Sequence, residues 1–273
     1  MTLVYKGTSR PLTEGDIDRV AASIGVRVAA LKAVIEVECG NRAFYADGSL
    51  VMLYEPHIAY RYSSGDVRKA LVDARVAAPV WGTIKYPSSY AARYAMLATC
   101  ARIGGSELAA TATSWGLPQG MGFNHARFGY GSAADMVEAF ASGSEAEQIA
   151  GMARFISANP TMLRALQDLN WAGFAYRYNG SGYKKNAYDT RLADAYLRHN
   201  KTTSVIGKVL RLGDKGSEVG TLQRLLQAAG FDLEVDNHFG KITRAVVMEF
   251  QQAKKLDIDG VVGPATIAAL TAR

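Results

Sequence analysis

Cysteine is scarce in this chain of 273 residues: only Cys39 and Cys100 occur. They form no Cys-x-x-Cys pair, so neither a disulfide framework nor a structural zinc site is expected. The histidines His57, His125, His199 and His238 are scattered and give no His-Glu-x-x-His, which argues against a zinc peptidase or amidase. No metal and no cofactor are expected. No run approaches the roughly 18 apolar residues that span a bilayer, so no stable membrane insertion is expected. Met1 to Gly15 lacks a charged segment followed by an apolar one, and no signal peptide is read there. Nor is one sign of charge in large excess. Lys and Arg total 31 against 25 Asp and Glu, a net charge of +6. That favours an anionic partner without choosing among nucleic acid, a lipid surface and a cell wall.

What is present is an ordinary globular composition, with 49% hydrophobic and 21% charged residues. Wholesale disorder is excluded, and the length allows one large domain or two. Asn200-Lys201-Thr202-Thr203-Ser204 is polar, aperiodic and follows a long helical pattern, so the linker is placed there. Beyond it lies an internal repeat. Asp236, Gly240, Thr243 and Ala245 align with Asp259, Gly263, Thr266 and Ala268 at identical spacing. Each copy reads as a tight turn feeding a helix, opened by Thr243 or by Gly263-Pro264, with glycine supplying unusual backbone angles. Before the first copy, Val219, Leu222, Leu225 and Leu226 mark an amphipathic helix stopped by Gly230. Between the copies, Val246, Val247 and Phe250 mark another. Three short helices on one core is the simplest architecture. Residues 208–273 carry 9 basic and 8 acidic residues, so most of the positive charge lies in the first 207.

Residues 209–270 resemble the three-helix peptidoglycan-binding module of many cell-wall hydrolases. The resemblance rests on Leu210-Arg211-x-Gly213-x-x-Gly216, Val219-x-x-Leu222-Gln223, Gly230-Phe231, Asp236-x-x-Phe239-Gly240, Phe250-Gln251 and Asp259-Gly260-x-x-Gly263-x-x-Thr266. Asn237 stands where that family usually has glycine, and asparagine tolerates the left-handed region such a turn needs. Wall binding is implied, without individual ligand contacts.

In the larger N-terminal part, Thr13 with Asp16 three residues on is a capping pattern. A helix is predicted from Val26 to Cys39, ended by Gly40-Asn41. Val28, Leu31, Val34 and Ile35 share a face at about 100° per residue. Glu38 falls roughly 30° from the centre of that face and Glu36 roughly 130° away, so Glu38 is the candidate and Glu36 is expected in solvent. A carboxyl against apolar surface holds its proton more tightly, as a general acid for glycosidic cleavage must. The same pattern also fits a helix-end glutamate reaching solvent past Gly40.

Next, Asp47-Gly48 between apolar runs predicts a hairpin over 43–54, and Glu55-Pro56 opens a helix. Further helices are predicted at about 57–62, 66–74, 88–103, 106–115, 132–140, 144–157, 160–178 and 187–199. Two stretches suit sugars, whose ring faces are apolar and whose rims are polar. One is Ser114-Trp115-Gly116-Leu117-Pro118-Gln119-Gly120-Met121-Gly122-Phe123-Asn124. The other is Arg177-Tyr178-Asn179-Gly180-Ser181-Gly182-Tyr183. By themselves both also read as ordinary glycine-rich loops.

Residues 13–199 resemble the N-acetylmuramidase family of phage endolysins, in the lysozyme-like superfamily. The segments that carry this are Leu31-x-x-Val34-x-Glu36-Val37-Glu38-x-Gly40, Leu53-Tyr54-Glu55-x-His57, Ser114-Trp115-Gly116-Leu117-x-Gln119 and Met121-Gly122-Phe123-Asn124. Arg177-Tyr178-Asn179-Gly180-x-Gly182-Tyr183 and Tyr188-Asp189-x-x-Leu192 complete them. The resemblance places the catalytic acid at Glu38, with Cys39 where serine is usual. Pro118 and Gly120 replace larger apolar residues. It implies sugar-positioning roles for Gln119, Tyr178 and Asn179, with Ser114 beside them. Glu55 is either the second carboxylate of a muramidase or a structural partner for a base or helix start, with Asp47 a distant alternative. His57 is expected to be structural, and Cys39 and Cys100 buried free thiols.

The expectation is a mainly α protein: a lysozyme-like α+β catalytic domain with a small β-hairpin over 1–203, and a three-helix peptidoglycan-binding domain over 208–273. The implied function is an endolysin that cleaves the β-1,4 bond between N-acetylmuramic acid and N-acetylglucosamine. It would be a monomer whose partner is bacterial peptidoglycan, with no nucleic acid. It would stay in the host cytoplasm until release and then reach the periplasm and cell wall. The rivals are a lytic transglycosylase using the same Glu38 and a non-catalytic wall-binding or virion structural protein.

Overall fold

A computed structural model describes residues 5–7, 10–40, 42–200, 206 and 208–271. The chain is mainly helical, with one small sheet, and forms two compact units: 1–24 with 38–159, and 25–37 with 160–273. From Lys201 onward the expected linker lies outside the described residues.

In the first unit, α1 (Glu14–Ser23) opens on the expected capping box. Thr13 accepts from the Asp16 amide and the Asp16 carboxylate accepts from the Thr13 amide. The second helix, α2 (Val28–Glu38), carries the unit boundary at its last residue. There follow β1 (Met52–Tyr54), α3 (Pro56–Tyr62), α4 (Gly65–Asp73), α5 (Tyr90–Gly104), α6 (Ser106–Thr111), β2 (Thr113–Trp115) and β3 (Gly120–Met121). The amphipathic α7 (Ala133–Ser142) and α8 (Glu145–Ser157) close the unit, burying Met136, Val137, Phe140, Ile149, Met152 and Ile156.

The sheet corrects the predicted hairpin. The Asp47-Gly48 turn forms, with Gly48 at φ +79° and Phe44 bridged to Leu50. The ladder itself pairs β1 with β2, in the register Met52–Trp115, Leu53–Ser114 and Tyr54–Thr113. Residues 113–115, predicted to be helical, are therefore strand. A distant partner, Met52–Tyr54, overrides the local helical preference of Leu108-Ala-Ala-Thr-Ala-Thr. Trp115 is fully buried and its indole donates to the Ala110 carbonyl, so it is core and not an exposed wall of a cleft.

In the second unit, α2 is joined by α9 (Pro160–Gln167), α10 (Trp171–Asn179), α11 (Tyr188–His199), α12 (Ser217–Ala228), α13 (Lys241–Ala253) and α14 (Pro264–Thr271). The single helix predicted over 160–178 is two, because Leu169 adopts φ +58° and Asn170 caps α10 through the Gly173 amide. The repeat has a clear physical basis. Gln223 is fully buried, and its Nε2 donates to Asp236, to the His238 carbonyl and to Thr243, while its Oε1 accepts from the Asn237 amide. Gln251, 1% exposed, makes the same four contacts with Asp259, Val261, Thr266 and Gly260. Thr243 and Thr266 thus serve the glutamines; α13 follows Gly240 and is not opened by Thr243, whereas α14 begins at Pro264 as expected. The left-handed positions are Asn237 (φ +59°) and Gly260 (φ +68°), not Gly240 and Gly263.

Candidate active site

Glu38 ends α2, one turn beyond Val34. The buried residues of the helix are Ala30, Leu31, Ala33, Val34 and Val37, while Val28 and Ile35 are only half-buried. The core face is therefore rotated from the one predicted, and Glu38 stands roughly 70° from its centre. It is half-buried at the edge of the apolar face. Glu36 is exposed, as expected, and its carboxylate accepts from Arg198 and lies 2.8 Å from His199 Nε2. Burial alone would raise the Glu36 pKa, but these two partners outweigh it and hold the carboxyl below its usual range.

The Gly40 amide donates to the Leu117 carbonyl at 2.9 Å, which ties the segment following Glu38 to the turn after β2. At the other end of β2, the Glu55 amide donates to the Ala112 carbonyl at 2.8 Å. Glu55 follows β1 directly and precedes Pro56, the first residue of α3, but its side chain does not cap that helix. The carboxylate instead accepts from Tyr86 Oη at 2.5 Å and lies 3.2 Å from His57 Nδ1. Tyr86 in turn accepts from the Trp81 indole N–H at 3.1 Å. Burial, then the Glu55 hydrogen bond and charge, push the Tyr86 hydroxyl up to about 12, so it keeps its proton and donates. His57, expected to be structural, thus contacts the candidate carboxylate and is the kind of basic partner that the structural reading of Glu55 calls for.

Asp47 is committed to its turn. It accepts from the Ser49 amide and hydroxyl and pairs with Lys6 at 3.7 Å, and the Ser49 bonds hold its carboxyl low. Ser114 and Gln119 are brought together: the Ser114 hydroxyl donates to Gln119 Oε1 at 3.1 Å, and Gln119 Nε2 donates to the Gly116 carbonyl at 2.6 Å. Gln119 holds φ +49°, so these bonds brace a strained turn. Glycines of this stretch are required by packing within the protein. A Cβ on Gly120 would meet the Phe128 ring at 2.5 Å, and one on Gly122 the Ala110 carbonyl at 2.0 Å.

Tyr178 and Asn179 belong to the second unit, half-buried at the end of α10, where Tyr178 stacks on Phe174. Cys39 and Cys100 are free thiols; Cys100 is buried as expected, but Cys39 is only half-buried. Burial, with the charges of Glu38 and Glu145, pushes the Cys39 thiol up to about 12, which makes it a poor nucleophile. Among the described residues no three His, Cys, Asp or Glu side chains are grouped to hold a metal ion. Sequence reasoning passed over Tyr86 and Trp81. Their only signal was a tryptophan between Pro79 and Gly82 in a stretch without periodicity.

The sequence profile of the N-acetylmuramidase family matches residues 27–200, and that of a putative peptidoglycan-binding domain matches residues 215–270. Among solved structures, the endolysin of Burkholderia AP3 phage is 38% identical, with a TM-score of 0.64 over 70% of this chain and 73% of that one. A probable N-acetylmuramoyl-L-alanine amidase of Bacillus licheniformis is 38% identical over 76 residues, 27% of this chain and 22% of that protein. The N-acetylmuramoyl-L-alanine amidase CwlL of the same organism is 36% identical over 76 residues, covering 27% and 21%. This chain therefore spans about a fifth of the length of those curated relatives. With a profile match that covers well over half of its length and a mainly helical fold shared with a phage endolysin, the chain belongs to the N-acetylmuramidase family.

Proposed function

We propose that this protein is an endolysin-type peptidoglycan hydrolase that cleaves the β-1,4 bond between N-acetylmuramic acid and N-acetylglucosamine. In this reading residues 1–203 carry the chemistry and residues 208–273 hold the wall. Glu38 is the general acid and gives its proton to the leaving glycosidic oxygen. Glu55 is the second carboxylate, which meets the positive charge that develops on the sugar ring and orients the incoming water. Water supplies a hydroxyl to the anomeric carbon and returns a proton to the site, so the reaction balances without a cofactor. Ser114 and Gln119 keep the turn after β2 in shape, and Tyr178 and Asn179 contribute sugar contacts.

The observation that carries the reading is the setting of Glu55. Glu55 precedes a helix without capping it, and its carboxylate accepts from a neutral tyrosine and lies beside His57, which supports a role in the reaction over one in helix stability. A second engaged carboxylate favours hydrolysis over internal ring closure by a transglycosylase. The bacterial wall is the substrate, and no helix among the described residues is long and apolar enough to cross a membrane. The test is mass spectrometry of soluble fragments released from purified peptidoglycan. Reducing N-acetylmuramic acid ends are expected. Fragments one water lighter, with 1,6-anhydro ends, would overturn hydrolysis, and cut peptide stems on intact glycan would overturn the site.

A further inference from the structure

The segment between α4 and α5 carries a side chain the reaction scheme does not yet use. Trp81 is 67% exposed, whereas Trp115 and Trp171 are 0% and 6% exposed. Its neighbour Val80 is also open, at 65%. The loop is fastened to three consecutive residues around the candidate carboxylate. Tyr54 Oη donates to the Val76 carbonyl at 2.7 Å, the Ala78 amide donates to the Pro56 carbonyl at 3.3 Å, and Tyr86 donates to Glu55 at 2.5 Å between them. At the far end, Arg93 donates to the Pro87 carbonyl at 2.9 Å.

The indole N–H of Trp81 is already spent on Tyr86. What remains open to solvent is therefore the aromatic surface, pinned at its polar edge and free of any further donor of its own. Such a surface suits a partner that is apolar on its face and polar at its rim, which describes a pyranose ring. A hydrogen-bonded chain of indole, phenol and carboxylate links that surface to Glu55, so the ring it receives belongs to the strand being cut.

We propose that Trp81 is a stacking platform for a sugar ring of the glycan strand, and that Tyr86 is the positioning residue that fixes the platform to Glu55. The proposal rests on the role given to Glu55 above. Occupancy of the platform registers the strand before cleavage, and it should be felt in substrate affinity more than in the chemical step.

The test uses the full chain and soluble glycan strands freed of stem peptides. Only Trp81 offers acrylamide an open indole, so adding strands to the Glu38→Gln protein should shift the emission to the blue and shield it from quenching. Trp81→Ala should raise KM for the strands about tenfold, equal to about 1.4 kcal/mol, with KM rising more than kcat falls. Trp81→Phe, which keeps a ring, should recover part of that loss. Tyr86→Phe should raise KM in the parent protein but add nothing to KM in the Trp81→Ala background. The melting temperature of Trp81→Ala should be unchanged, as for a substitution at an exposed side chain, which excludes a folding explanation. Unshielded emission at saturating strands, or an unchanged KM in Trp81→Ala, would overturn the platform. The bond assignment would survive either result, because it is read from the ends of the product.

Discussion

The peptidoglycan-binding module and the neighbourhood of Glu55 both place polar groups among apolar ones, but they close their networks differently. In the module, Gln223 and Gln251 each satisfy four partners within the protein. Around Glu55 the chain of hydrogen bonds runs outward through Tyr86 and ends on an exposed indole. A closed network spends its hydrogen bonds on specifying a fold, since every buried donor and acceptor must be paired. An open one leaves part of its surface for something that is not protein. The difference separates residues whose loss should unfold the protein from residues whose loss should silence it.

The sharpest way to break the comparison is at the carboxylates. Glu38→Gln should lower the rate of wall lysis by roughly 10²–10⁴-fold with an unchanged thermal melt. Glu36→Gln, on the same helix, should change it by less than about twofold. Comparable losses in the two variants, in a turbidity assay, would remove Glu38 from its role.

At the closed end of the comparison, Gln223→Ala or Gln251→Ala should each cost about 2–4 kcal/mol in urea unfolding, because four polar partners lose their mate. Cleavage of soluble glycans by protein that remains folded should survive. Equal and near-zero costs would show that the two clasps are decorative.

Acid should loosen the first clasp by a smaller amount. The Gln223 side chain and then the His238 amide hold the Asp236 carboxyl below its usual value of 3.8. A lowered folded pKa means stabilisation that is fully present above 3.8 and is lost as pH falls toward the folded value. Stability measured from pH 5 down to 2 should show this dependence, and Gln223→Ala should flatten it.

The smallest effect belongs to a pair outside both networks. Lys69 and Asp73 pair at 2.8 Å, but their side chains are 76% and 63% exposed. Lys69→Ala should move stability by no more than about 0.5 kcal/mol, and added salt should erase even that. A larger shift would mean that this pair contributes more than an exposed ion pair ordinarily does.

Much of this was legible before any coordinates. The helical repeat separated Glu38 from Glu36 because two residues two apart cannot share a face, and Glu36 indeed faces Arg198 and His199. The wheel erred in centring the face on Val28 and Ile35. It weighed large apolar side chains, whereas close packing buried Ala30 and Ala33. The module's repeat was legible as spacing but not as mechanism: nothing in the letters says that Gln223 reaches forward to Thr243. Asn170 was present as a capping residue inside the predicted 160–178 helix and went unused, so the break before α10 was missed.

The sequence by itself determined the helical character, the paired turn-and-helix units of the module, the Asp47-Gly48 turn and the nomination of Glu38. All of these follow from periodicity and turn chemistry within some twenty residues. Tertiary structure alone decided the pairing of Met52–Tyr54 with Thr113–Trp115, the burial of Trp115, and the hydrogen bonds from Trp81 to Tyr86 and from Tyr86 to Glu55. Each of those is a contact between segments far apart in the chain. Their free energy lies in burial and hydrogen bonding that exist only once the fold has closed, and so leaves no local signature for a pattern to carry.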